Sequence, residues 1–289
     1  MDERSFIAAL RALATAPAAR GLADDAAVLD FGGETLILTH DALAEGVHVL
    51  PGQDAADIAW KLVAVNLSDL AAKGAEPLGV LLGHTLGADD ERFLEGFREV
   101  IGQYDVPLLG GDTIAAQGPR SWGCTAIGRA THRPVPSRSG AQIGDFVYVT
   151  GTLGKALLGF EALRDGTGAD YSSYARPRPR LAEGQALAPM VTAMMDISDG
   201  LLLDGWRMGE ASGVTLALDA QAAPVAAPNR RHECLSWGDD YELLFTLPPD
   251  RQPPIPTSRI GEVVAKGNSA VSLNGEFLTS EHGLGYLHG

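Results

Sequence analysis

Six short acidic motifs, each set among glycine, small and apolar residues, constrain this chain more than any other feature. They are Gly21-Leu22-Ala23-Asp24-Asp25-Ala26-Ala27, Thr39-His40-Asp41, Asn66-Leu67-Ser68-Asp69, Gly110-Gly111-Asp112-Thr113, Asp196-Ile197-Ser198-Asp199-Gly200 and Gly238-Asp239-Asp240-Tyr241. A solvated acidic face usually mixes Glu with Lys and Arg, whereas aspartates beside Gly, Ser and Thr at element ends suit oxygen coordination of a hard cation. A fold that brings such carboxylates together without bases raises their pKa values and loses stability unless cations neutralise them. A fold that scatters them makes each one a cap or a turn. Recurrence of the pattern favours convergence, and with it magnesium.

The balance of 37 acids against 22 bases, a formal charge of -15, repels a phosphate backbone and argues against nucleic acid as a partner. An acidic chain can still handle an anionic small molecule when divalent ions sit between carboxylates and ligand phosphates. With 289 residues, 45% of them hydrophobic, the chain supports one large or two medium domains with a buried core. Cys124 and Cys234 stand far apart without CxxC spacing, so neither a disulfide framework nor a zinc knuckle is readable. Met1-Asp2-Glu3-Arg4 is not a basic region leading into an apolar run, and no stretch approaches about eighteen uninterrupted apolar residues. The expectation is a soluble, cytoplasmic protein with no membrane partner.

Apolar spacing predicts a helix over 6–13 and a short buried strand over 35–39 that delivers His40 and Asp41 at its end. A helix is predicted over 54–73, with Asp54 as N-cap, Gly74 as stop, and Asn66 and Asp69 on one face. Further strands are expected over 78–84, 106–109 and 122–129, and a helix over 89–104. The Pro, Arg, Ser and Gly-rich stretch 131–144 is a compositional break that places the domain boundary. Beyond it come a strand over 146–150, a turn over 151–154, helices over 155–164, 181–187 and 201–210, and strands over 191–196, 214–218, 241–247 and 258–264. Each half mixes strands and helices, so two α/β or α+β domains flanking a cleft are expected.

Several motifs carry two readings. Asp24-Asp25 suits a turn as well as a metal site, because Asp bonds readily to nearby backbone. His48, in Glu45-Gly46-Val47-His48, suits a structural or surface position as well as a ligand role. Gly110-Gly111-Asp112-Thr113 offers open backbone N–H groups to a phosphate, yet a tight turn accounts for it alone. Gly151-Thr152-Leu153-Gly154-Lys155 lacks the spacer and the hydroxyl residue of a phosphate loop, and reads as a turn and helix start. Ser198 can cap the helix that follows or bond a phosphate at its N-terminus. Arg138 can reach phosphates or sit in solvent.

In their joint order, these motifs with Arg138-Ser139-Gly140 and Tyr241-Glu242-Leu243-Leu244-Phe245-Thr246 make the chain similar, nearly end to end, to the thiamine-monophosphate kinase family. That family lies in the superfamily of aminoimidazole ribonucleotide synthetase. The resemblance implies an α/β (α+β) fold of two mixed domains: an N-terminal synthetase-like domain over 1–132 for metal, ATP and dimerisation, and a C-terminal α/β domain over 133–289. It implies ATP-dependent phosphorylation of thiamine phosphate to thiamine diphosphate by a homodimer using several Mg2+ ions. By matching positions, Asp25, Thr39, His40, Asp41, Asp69, Asp112, Asp196 and Asp199 would meet the metals. Tyr104, Gly111, Asp112, Arg138 and Ser198 would meet ATP, and His48, Asp239 and Tyr286 the thiamine side. No general base is implied, because the acceptor phosphate is already anionic.

Three positions depart from the family pattern. Thr39-His40-Asp41 stands for Ser-Thr-Asp, Asp239 for Glu, and Gly285-Tyr286-Leu287-His288 for Gly-Tyr-Asp-His. A backbone ligand survives the change at position 40, whereas a hydroxyl ligand does not. The rival readings are another ATP-using synthetase of the superfamily and a non-catalytic nucleotide- or metal-binding protein.

Overall fold

The computed structural model describes residues 3–280 and 283–287. Its N-terminal half runs α1 (Glu3–Arg11), β1 (Ala27–Phe31), β2 (Glu34–Ala44), α2 (Ala55–Ala72), β3 (Ala75–Thr85), α3 (Asp90–Gln103), β4 (Leu108–Ile114) and β5 (Ser121–Ala130). The second half runs β6 (Phe146–Val149), α4 (Lys155–Asp165), α5 (Ser172–Ala175), α6 (Leu181–Leu187), β7 (Ala193–Ile197), α7 (Leu201–Ser212) and β8 (Val214–Leu218). It closes with α8 (Arg231–Ser236), β9 (Glu242–Leu247), β10 (Ser258–Ala265), β11 (Val271–Leu273) and β12 (Glu276–Phe277).

Two mixed sheets result. The first has the order β1-β2-β5-β3-β4, parallel only between β3 and β4. The second has the order β12-β11-β8-β10-β6-β9-β7, parallel only between β11 and β8. One face of the first sheet packs Ile37, Trp122 and Ala126 against α2 and α3. The second sheet buries Met195, Leu216 and Leu244 against α7 on one face. Its other face packs Met194, Leu243 and Phe245 against Ala71 and Ala72 of α2 and Leu187 of α6.

Helix α2 is therefore held between the two sheets, and all its residues except Trp60 and Asp69 are buried. A helix enclosed on every side, with polar residues only where partners meet them, requires that environment. The Asp54 carboxylate caps it by accepting from the Ala56 N–H at 2.9 Å. Gly74, at φ +59°, ends it in the left-handed conformation that favours glycine. Where α6 crosses α2 the approach is so close that a Cβ on Gly184 would lie 1.9 Å from the Ala71 carbonyl oxygen.

Two local expectations are corrected. The strand predicted over 35–39 continues through Ala44, because β5 pairs with it from Leu36 to Ala44, so His40 and Asp41 sit inside the strand. The Gly110-Gly111-Asp112 segment is not a turn but the middle of β4. A Cβ on Gly111 would lie 1.9 Å from the Leu82 carbonyl oxygen, so close strand contact accounts for that glycine. No helix among the described residues is long and apolar enough to cross a membrane.

Candidate active site

Strand alternation sends Thr39 and Asp41 of β2 toward α2. There, Asn66 and Asp69 lie one helical turn apart and meet them. The Asn66 side-chain oxygen accepts from the Asp41 N–H at 2.9 Å while its amide donates to the Leu62 carbonyl at 2.9 Å. The Thr39 hydroxyl donates to Asp69. Ser68 reaches the other way and donates to the Asp196 carboxylate at 2.6 Å, linking α2 to the end of β7.

Asp41, Asp69 and Asp196 thus converge, and no ion pair to any of them is found among the described residues. Burial first, then the charges of Asp41, Asp196 and Asp25, pushes the Asp69 carboxyl well above its ordinary range. Burial, reinforced mainly by Asp25, pushes Asp196 up to about 8. Burial also raises Asp41, assisted by Asp199 and Asp25 against the opposing His40 charge.

A second acidic zone beside it is compensated. Lys73, which is 0% exposed at its side chain, pairs with Asp24 and lies 2.6 Å from Asp25. Arg138 pairs with Asp25 and Arg20 with Asp24. Burial opposes ionisation of Asp25, but Arg138 and Lys73 outweigh it and hold the carboxyl below its usual range.

The turn between β7 and α7 forms the opposite wall. The buried Asp204 carboxylate accepts from the Ser198 and Asp199 N–H groups at 3.1 and 2.9 Å, and Arg207 pairs with both Asp199 and Asp204. Burial, countered by Arg207, leaves Asp204 raised to about 6. The N-cap of α7 is Gly200, with no side-chain cap bond, so Ser198 does not cap the helix; Asp204 instead ties down the turn before it, and Ser198 lines the cleft. Farther along, the Ala44 N–H donates to His48 Nδ1 at 3.0 Å, and Asp239 pairs with Lys61 at 2.8 Å. Phe160 and Trp237, ring centroids 4.9 Å apart, complete an aromatic wall.

Asp25, Asp41, Asp69, Asp196, Asp199, Arg138, Ser198, His48, Asp239 and Tyr286 all line one cleft of about 1490 Å³, with Thr39 behind Asp69. Four expected residues do not join them. The His40 ring lies on the outer face of the sheet, 2.9 Å from the Thr125 hydroxyl, because alternation turns it away from Asp41. Gly111 and Asp112 lie on β4, three strand spacings or about 14 Å from Asp41. Asp112 pairs in register with Gly83 and therefore shares the outer face with His40. Tyr104 ends α3 and packs edge-on against Trp60, 6.0 Å between ring centroids, away from the cleft.

Sequence reasoning missed Lys73, Ser68, Asp204, Arg207 and Lys61. Ser68 lay inside a quoted motif, but the lysines looked like parts of an apolar helix and its end. The oxygen-only donor set fits a hard divalent cation. Among the described residues no three acidic, histidine or cysteine side chains already form a coordination shell.

The family AIR synthase related protein, N-terminal domain, matches residues 23–130. The chain is 40% identical over 249 residues to thiamine-monophosphate kinase of Salmonella typhimurium, covering 79% of this chain and 76% of the relative. It is 35% identical over 304 aligned positions to thiamine-monophosphate kinase of Caulobacter vibrioides, covering 94% and 86%. The solved structure of AaThiL complexed with AMPPCP and TMP superposes with a TM-score of 0.89 at 27% identity, covering 100% of this chain and 97% of that one.

Proposed function

The chain belongs to the thiamine-monophosphate kinase family, and from that premise we infer that it transfers the γ-phosphoryl group of ATP to thiamine phosphate, giving thiamine diphosphate and ADP. The observation that carries the site assignment is the convergence of Asp41, Asp69 and Asp196 without basic partners on the floor of a cleft that also presents Arg138 and Ser198.

Asp25, Asp41, Asp69, Asp196 and Asp199 would hold Mg2+, with Thr39 orienting Asp69. Bound there, the ions would offset the charge of the two polyanions and align donor with acceptor. Arg138 supplies a planar guanidinium for phosphate oxygens and Ser198 a hydroxyl at the start of α7. His48, Asp239 and Tyr286 hold the thiamine side. No residue needs to remove a proton, since the attacking phosphate oxygen is already anionic.

The active form is a homodimer on this reading. Its support is the bare outer face of the first sheet and the edge strand β4, where Leu81, Leu108, Leu109 and Ile114 are exposed. A second copy covering that face would bury His40 and bring its own Asp112 and Gly111 into the assembly. A cytosolic setting accords with two free, buried cysteines.

The decisive experiment incubates the protein with ATP, Mg2+ and thiamine phosphate and resolves the products by chromatography, with EDTA and free-thiamine controls. Equal, EDTA-sensitive yields of thiamine diphosphate and ADP are expected. Nucleotide binding without product would shift the reading to a non-catalytic nucleotide binder.

A further inference from the structure

Lys61 is a lysine on the most enclosed helix of the fold, and its side chain is 0% exposed. Taking an ammonium out of water costs several kcal/mol unless its hydrogen-bonding capacity is met. Here it is met from three separate segments. The Lys61 Nζ donates to the His48 carbonyl at 3.1 Å and to the Asp239 carboxylate at 2.8 Å, and it lies 3.9 Å from the centre of the Tyr174 ring. The Tyr174 hydroxyl closes the loop by donating to the same His48 carbonyl at 3.1 Å.

Asp239 has little freedom left. Its backbone is in the left-handed region at φ +58°, its N–H donates to the Ser198 carbonyl at 2.7 Å, and its second carboxylate oxygen accepts from the Tyr241 hydroxyl at 2.9 Å. The carboxylate still opens onto the cleft, 27% exposed. Lys61 thus joins the His48 turn to the Asp239 loop, reaching Asp239 across 178 positions of sequence.

We propose that Lys61 is a positioning residue for substrate recognition: its buried ammonium fixes the Asp239 carboxylate and the His48 turn in one arrangement, and so sets affinity for thiamine phosphate while leaving ATP binding unaffected. This rests on the assignment of His48 and Asp239 to the thiamine side.

The test is steady-state kinetics of Lys61→Met, which keeps the stem and removes the charge, with Asp239→Asn and the double variant. KM for thiamine phosphate should rise about ten- to a hundred-fold in Lys61→Met with KM for ATP within about two-fold, the size expected when a binding group is misplaced by an ångström. The double variant should be no worse than the worse single one. KM values for both substrates rising together, an unchanged KM for thiamine phosphate, or single effects that multiply would each overturn the proposal. Should Lys61→Met not fold, Lys61→Arg carries the test, since it keeps the charge but cannot place it at the same point between the His48 carbonyl and the Asp239 carboxylate. An unchanged KM for thiamine phosphate there is equally fatal. A wild-type protein that makes no thiamine diphosphate overturns the kinase reading along with this one, whereas failure confined to the variants leaves the kinase reading standing.

Discussion

Asp196→Asn should stabilise the metal-free protein by an amount that grows with pH. In the folded state, burial and neighbouring charge raise the Asp196 carboxyl from 3.8 to about 8. Because the folded pKa lies above the unfolded one, the native state keeps a proton that the unfolded chain releases. Stability from this group is whole below pH 3.8 and is lost as pH climbs toward 8. At about 1.4 kcal/mol per unit, the loss reaches about 2 kcal/mol at pH 5.5 and about 4 kcal/mol at pH 7. Asparagine carries no such burden and can still accept from the Ser68 hydroxyl, which now donates at 2.6 Å. Any cost of the amide itself does not depend on pH, so the informative quantity is the difference between the two conditions, about 2 kcal/mol. Thermal melts in EDTA should show a gain in Tm about 4 °C larger at pH 7 than at pH 5.5. The same variant should lose kinase turnover. A stability gain that is flat between the two pH values would refute the reasoning, whatever its sign.

Other perturbations test other parts of the account. Magnesium binding to the nucleotide-free protein at pH 7 should release protons, because the Asp196 carboxyl is raised to about 8, measured by calorimetry in buffers of different ionisation enthalpy; zero release would count against the raised carboxyl. Lys73→Met should cost about 3–5 kcal/mol in urea unfolding, because it strips Asp24 and Asp25 of a fully buried partner. Gly184→Ala should cost about 1–3 kcal/mol, since the α2–α6 crossing has no room for a methyl group; an unchanged urea midpoint would contradict the packing described.

The sequence was most legible where local chemistry decides the outcome. Asp54 and Gly74 bracket α2 by capping and by left-handed backbone, and both signals act within a few residues. The end of β2 was not legible, because Ala42, Leu43 and Ala44 carry no breaker and their pairing partners on β5 are about eighty positions away. That one misplaced boundary is what put His40 beside Asp41 instead of on the opposite face. Two adjacent glycines at 110 and 111 signalled a turn, although glycine also marks close strand approach, and only the pairing of β4 with β3 separates the two meanings. The floor of the site was legible as residue types, since Asp69 and Asp196 stood in motifs, but the Ser68 bond joining them spans 128 positions and left no local trace.

The place of α2 between the sheets bears on how this molecule can be divided. Each turn of that helix answers to both halves: Ser68 and Lys61 face outward to groups from the second half, Asn66 and Asp69 to β2, and Ala71 and Ala72 to the second sheet. A cut after residue 132 would strip the helix of one side of its lining and leave an apolar flank in water. The two halves are accordingly less like hinged lobes than like two hulls built on a single keel, and a change anywhere along it reaches both walls of the cleft at once.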